Sequence, residues 1–359
     1  MDDGRIAHIE RYNQYVRRKK LALFITAVAT IAVALFAVGV GSIRISFSEI
    51  MQALFGRGSE QTSTVVMNIR LPRVVAAILV GAALASSGAV MQCVLRNPLA
   101  SASTLGISQG AAFGAALGIV LFGGGVVNST SAASAISINN PYIVTLCAFV
   151  CGIFSSVVII AISRLKRDIG PGGLILAGVA LSSLFTGGST LIQYFSDDTK
   201  IGAIVFWTFG NLGSTNWTEL LILALILGAA LLYFMLNRWN YNAMESGADT
   251  AKSLGVNTRS VMLAGMGISS LLAAVAVSFV GIISFVGLVA PHIMRRFVGN
   301  DYRYLIPSSA VAGALLLILA DTFGRTIIAP VILPIGAITS FLGAPVFLFL
   351  LFKGVKTNG

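Results

Sequence analysis

The chain has 359 residues, 56% of them apolar and only 10% charged, with 38 glycines and a net charge of +11. A water-soluble domain carries roughly 25% charged residues, so a surface this poor in charge excludes a soluble protein and leaves lipid as the main solvent. The Lys and Arg excess sits in short clusters between apolar runs, a pattern that sets membrane topology rather than binding nucleic acid.

Residues 1–20 end in Arg17-Arg18-Lys19-Lys20 and lead into the apolar stretch 21–41. Signal-peptide cores run about 7–15 residues; this stretch is long enough to span, and reads as a first transmembrane helix with its N-terminus inside. A span needs about 20 apolar residues. Nine further segments follow, at 70–94, 99–122, 142–163, 173–195, 217–236, 258–282, 285–296, 304–323 and 334–352. At about 1.5 Å per residue, 285–296 is too short to cross alone and reads as a half-helix. The segment 99–122 is glycine-rich and reads as broken. Irregular backbone at membrane depth is tolerated only when buried in protein or lining a water-filled path.

The expected fold is all-α: a polytopic membrane protein of about ten transmembrane helices. A permease domain spans 21–353, between an N-terminal segment 1–20 and a tail 354–359, with both termini cytoplasmic. Charge supports this orientation, because the outer segments then hold only Arg44, Arg57, Arg70, Arg73, Lys200 and Arg325 of the 24 basic residues. Two outer loops stand out: 42–69, with an amphipathic piece at Phe47–Phe55, and 123–141, rich in Gly, Ser, Ala and Asn. Helices 70–94 and 258–282 run in opposite senses. They lead to Asn97-Pro98-Leu99-Ala100 and to Ala290-Pro291-His292-Ile293, as an inverted repeat of five plus five would require.

No catalytic residue, resident cofactor or metal site is expected. A phosphate loop of the G-x-x-x-x-G-K-[ST] type is missing. His8 and His292 are the two histidines and lie far apart in sequence, and Cys93, Cys147 and Cys151 read as small core residues within apolar runs. Asp321 and Glu219 lie near predicted outer ends. Ion-coupled carriers place ionisable groups near the midplane, so the energy source is expected in another subunit.

The inner loop 237–257 carries a pattern of its own. Ala248, Ala251 and Leu254 recur every third residue and Gly255 suits the position after a helix end. This is a short helix with a small apolar ridge, which either lies in a groove of a soluble partner or packs on its own protein. Gly170-Pro171-Gly172-Gly173 opens the segment 173–195, either as a hinge or as a tight turn. That segment presents Ser182, Ser183, Thr186, Ser189, Thr190 and Gln193 on a hydroxyl-rich face. The face reads as a mild polar wall of a path, or as interhelical hydrogen bonding.

An ordered set of motifs then narrows the reading. Arg70-Leu71-Pro72-Arg73 and Asn97-Pro98-Leu99-Ala100 are followed by Leu105-Gly106-Ile107-Ser108-Gln109-Gly110-Ala111 and Leu176-Ala177-Gly178-Val179-Ala180. Ala251-Lys252-Ser253-Leu254-Gly255-Val256, the run from Gly281 to Ile293, Leu333-Pro334-Ile335-Gly336 and Gly343-Ala344-Pro345-Val346-Phe347 complete it. The set resembles the permease family of iron-siderophore, haem and cobalamin ABC importers.

The resemblance implies a subunit that pairs with an identical or paralogous permease, with the path on the two-fold axis. Two cytoplasmic ATPase subunits, which bind the ATP and Mg, dock beneath, and an extracytoplasmic binding protein docks above, in the plasma (inner) membrane of a prokaryote. Ala248, Ala251, Leu254 and Gly255 match the ATPase-coupling loop. Arg70, Arg73 and Arg325 match basic positions that receive acidic residues of the binding protein; lipid anchoring and, for Arg325, an i, i+4 pair with Asp321 are the alternatives. Asn97, Pro98 and Leu99 match a cytoplasmic gate, or simply end a helix. Gly172, Gly173, Ser182, Ser183, Thr186 and Gln193 lie on the family's path-lining helix, and Pro291-His292 reads as structural. The implied cargo is an iron-siderophore or related metal chelate, with haem, cobalamin or molybdate as alternatives and an ion-coupled secondary carrier as the rival class.

Overall fold

The computed structural model describes residues 2–41, 46–54, 56–123, 125–126, 137–138, 140–166 and 169–355. Its helices, in chain order, are α1 (Asp2–Gly39), α2 (Phe47–Leu54), α3 (Glu60–Thr64), α4 (Leu71–Val94), α5 (Ile107–Leu121), α6 (Pro141–Leu165), α7 (Pro171–Tyr194) and α8 (Asp198–Thr208). These are followed by α9 (Trp217–Leu236), α10 (Arg238–Glu245), α11 (Ala248–Ser253), α12 (Thr258–Val280), α13 (Val286–Val298), α14 (Tyr302–Thr326) and α15 (Ile335–Val355).

Helices stand at all of the predicted segments, and local chemistry explains their starts. Pro141 and Pro171 sit in first turns, where a missing N–H costs nothing. Asn216 and Glu219 form a reciprocal capping box at the head of α9, and Asn257 caps α12 through the Ser260 N–H at 3.0 Å. With 13 residues, α13 reaches roughly 20 Å against a hydrocarbon core of about 30 Å. The break expected in 99–122 occupies residues 95–106, ahead of α5.

The structure departs from expectation in three places. The segment 1–20 and the first span form one helix, because α1 runs unbroken from Asp2 to Gly39. A short helix, α8, lies in a stretch read as outer loop. The amphipathic piece forms α2, and α3 then passes through a π-helical stretch, Val65–Arg70, directly into α4. Of the 123–141 loop, the strands Gly125–Val126 and Ser137–Ile138 pair antiparallel. Most of that loop, Phe55, and residues 356–359 of the tail lie outside the described residues.

Helix α4 is the centre of the bundle, with 83% of its apolar window buried, and it packs on α14, α12, α13 and α9. Lipid supplies no hydrophobic drive for this packing, so close approach of small residues must hold the helices together. A Cβ at Gly81 would lie 2.8 Å from the Ala314 Cα, and one at Gly287 would lie 2.8 Å from the Leu84 carbonyl. On the other side, Gly110, Gly114 and Gly118 of α5 lie against the backbone of α6 at Cys151, Cys147 and Val144.

Non-helical backbone is concentrated where α12 gives way to α13. Gly281 (φ +77°) and Phe285 (φ +64°) reverse the chain there. The Asn211 N–H donates to the Val280 carbonyl at 2.7 Å and the Gly336 N–H to the Phe209 carbonyl at 2.9 Å. Backbone groups that lipid could not satisfy are thereby paired inside the protein.

Candidate functional site

The predicted site residues fall at two ends of the bundle and along α7. At one end, the last carbonyls of α1 have no partner within the helix. Arg70 Nη1 donates to the Val38 and Gly39 carbonyls at 3.0 and 2.9 Å. Arg325 Nη1 and Nη2 donate to the carbonyls of Val40 and Ala37 at 3.0 and 3.1 Å. Asp321 then binds Arg73 Nε and Arg325 Nε, each at 2.9 Å. The i, i+4 pair expected from the sequence is therefore formed.

Arg70 and Arg325 are only 5% and 8% exposed, and the Arg73 side chain 11%. This corrects the reading of the three as outward docking charges. The structure brings them together but turns them inward, where guanidinium groups complement the negative end of the α1 dipole. They fix the shape of this face.

At the other end, Asn97 follows Arg96, whose φ of +46° is unusual for a side-chain-bearing residue. Asn97 Oδ1 accepts the Leu99 N–H at 2.8 Å, which closes the turn, and Pro98 and Leu99 are exposed. Met244, Glu245 and Gly247, which lead into α11, line a cavity together with this turn. The Gly255 N–H donates to the Lys252 carbonyl at 2.9 Å and the Val256 N–H to the Ala251 carbonyl at 3.0 Å. With Gly255 at φ +82°, this is a Schellman end at the predicted position.

The predicted ridge is corrected in part. Ala251 is fully buried against its own chain, whereas Leu254 is 67% exposed. The outward surface of α11 is therefore Asp249, Thr250, Lys252, Ser253 and Leu254, with Ala248 half-buried.

Sequence reasoning missed a polar cluster at this end. Asp301 accepts from Lys19 Nζ at 3.3 Å, Arg303 Nη2 at 2.7 Å and Asn242 Nδ2 at 3.1 Å. Burial opposes ionisation of Asp301, but these donors and the Arg303 N–H outweigh it, and the carboxyl is held well below its usual range. Lys19 Nζ also stands 4.1 Å from the Tyr15 ring centroid. One signal could have singled out Lys19 in its basic run: it shares the buried α1 stripe of Thr30 and Ala37.

Along α7, Ser182, Ser183, Thr186, Ser189 and Thr190 each donate to a carbonyl four residues earlier. Their hydroxyls are thus engaged within α7. Ser183, Thr186 and Thr190 lie on the more exposed side of the helix, and Ser182 and Gln193 are half-buried. A Cβ at Gly172 meets nothing within 4 Å, whereas one at Gly173 lies 2.9 Å from Ile169.

A bundle of apolar helices, broken at its centre and carrying a short polar helix at one end, is the architecture of a multi-pass membrane permease. The chain belongs to the FecCD transport family, whose model matches residues 29–353. It is 51% identical over 347 residues to an ABC transporter permease protein, MJ0087, of Methanocaldococcus jannaschii, covering 97% of this chain and 98% of that one. It is 37% identical to the hemin transport system permease HmuU of Yersinia pestis, over 80% and 83% of the two chains. A solved inward-facing structure of a metal-chelate type ABC transporter superposes with a TM-score of 0.79 at 29% identity, covering 92% of this chain and 98% of that one.

Proposed function

We propose that this ABC-type permease is the membrane-spanning half of an ATP-driven importer for a metal chelate, an iron-siderophore foremost. It pairs with a second permease copy across the exposed side of α7, whose hydroxyl and glycine positions wall the path. Two soluble ATPase subunits, which hold the ATP and magnesium, dock on α11 at the cytoplasmic end. An extracytoplasmic binding protein delivers the chelate to the end shaped by Arg70, Arg73 and Arg325. Both termini lie in the cytoplasm of a prokaryotic cell.

The observation that carries this reading is α11. An exposed Leu254 beside a glycine-capped polar helix has no use in lipid, but it suits a groove in a soluble partner. The names of the hemin relative and the metal-chelate structure support the cargo class.

The test is uptake in a deletion strain supplied in turn with labelled ferric siderophores, haem, cobalamin and molybdate, with and without cellular ATP. Loss of an ATP-dependent uptake of one ferric chelate is expected and names the cargo. Loss confined to molybdate, or uptake driven by an ion gradient through this chain alone in liposomes, overturns the proposal.

A further inference from the structure

The turn after α4 and the residues leading into α11 line one cavity of about 490 Å³, bounded by Gln92, Asn97, Glu245, His292, Arg295 and Asn300. Packed side chains cannot transmit a displacement across empty space. A chain of hydrogen bonds, however, spans the gap. Glu245, three residues before α11, accepts Asn300 Nδ2 at 2.8 Å on one oxygen and the Tyr302 hydroxyl at 3.2 Å on the other. Arg295 Nη2 donates to that same hydroxyl at 3.4 Å, and its Nη1 donates to Gln92 Oε1 at 2.5 Å.

Gln92 completes the connection, because its backbone carbonyl accepts the Asn97 N–H at 3.2 Å and so belongs to the turn itself. A second strut runs alongside, from Arg96 Nη2 to the Met244 carbonyl at 3.5 Å. Tyr302 and Gln92 are 0% and 3% exposed. Burial of these two side chains strengthens the bonds they make, while Glu245 and Asn300 lie at the surface. The charges also agree, with Glu245 at one end and the Arg295 cation in the middle.

We propose that Glu245, Tyr302, Arg295 and Gln92 form a polar linkage that carries displacement of α11 to the turn at Asn97–Leu99, and so couples the ATPase to the gate. The inference rests on the proposed docking of the ATPase on α11 and takes the turn as the cytoplasmic gate that the family resemblance implies. Tyr302 and Arg295 are positioning residues here, because they act through Glu245 and Gln92. The cavity gives the Arg295 side chain room to shift between arrangements.

The test uses the whole importer in liposomes, with its ATPase and binding protein, and measures ATP hydrolysis and chelate transport side by side. Tyr302→Phe removes the one hydroxyl that joins Glu245 to Arg295. The expected result is retained ATPase assembly and continued hydrolysis, with transport per ATP reduced roughly tenfold. The pair Gln92→Ala with Tyr302→Phe should lose no more than the worse single variant, since both cut one linkage.

If Tyr302→Phe does not assemble, Glu245→Ala, which lies at the protein surface, cuts the same linkage and is read the same way. Hydrolysis and transport falling in equal proportion, or the two losses adding independently, would overturn the linkage while leaving docking on α11 intact. Undiminished ATPase binding to Leu254→Asp would instead remove α11 as the input, and the linkage would fall with the docking reading.

Discussion

Asp321 sits 2.9 Å from both Arg73 and Arg325, with its carboxylate almost fully enclosed. Removing one partner of a buried charge cluster leaves the others uncompensated. Asp321→Asn should therefore cost about 3 kcal/mol, read as a lowered thermal midpoint of the purified permease in detergent. Adding Arg73→Gln should restore part of the loss, and an unchanged midpoint in the single variant would refute the burial argument. Asp301 makes a pH-dependent case. Its folded-state pKa is lowered, so its stabilisation is present above the ordinary carboxylate value of about 3.9 and is lost as pH falls towards the lowered one. Asp301→Asn should lower stability by about 2 kcal/mol at neutral pH, and the gap from the parent should narrow only below about pH 4. A gap that closed between pH 8 and 6 would point to another group. The sequence made the Asp321–Arg325 spacing legible, because i, i+4 is a local relation. It could not show that Arg70 turns onto Val38, or that Lys19 meets Asp301, because those partners are distant in the chain.

Glycine sets the closest helix approaches in the bundle. In α5, Gly110, Gly114 and Gly118 recur every fourth residue, and a Cβ at Gly114 would collide with the Cys147 carbonyl of α6. Gly114→Val should separate the two helices at a cost of about 3 kcal/mol, measured as loss of the monodisperse folded peak on heating. Gly228 of α9 is the control, since a Cβ there meets nothing within 4 Å. Gly228→Ala should be neutral or stabilising by up to about 1 kcal/mol, through helix propensity. Equal effects at the two sites would refute close packing as the reason for glycine in α5. The glycine content of 99–122 was visible in the sequence, as were the half-helix α13 and the break before α5, since length and glycine content are local. Helix α8 was not. It has 11 residues, too few to span, and the chain beyond it is fixed by the bond from Gly336 to Phe209.

For the whole molecule, apolar length was enough to locate the helices, because lipid imposes one strong rule on every segment. The division of α11 between an inward and an outward face was not readable. Spacing alone put Ala248, Ala251 and Leu254 on one ridge, and only the packing of the chain buries Ala251 and exposes Leu254. That division makes Leu254 the discriminating position. A leucine with two thirds of its surface in water contributes little to the fold of its own chain, so Leu254→Asp should leave the stability of the permease within about 0.5 kcal/mol of the parent. In a partner's groove the same aspartate would have to shed its water without a counter-ion, which costs several kcal/mol. ATPase retention by the tagged permease should then fall at least roughly tenfold, the equivalent of 1.4 kcal/mol. Ala251→Asp should behave oppositely, unfolding the end of the bundle as well as losing the ATPase. Full retention by Leu254→Asp, with the fold intact, would remove α11 as the docking surface.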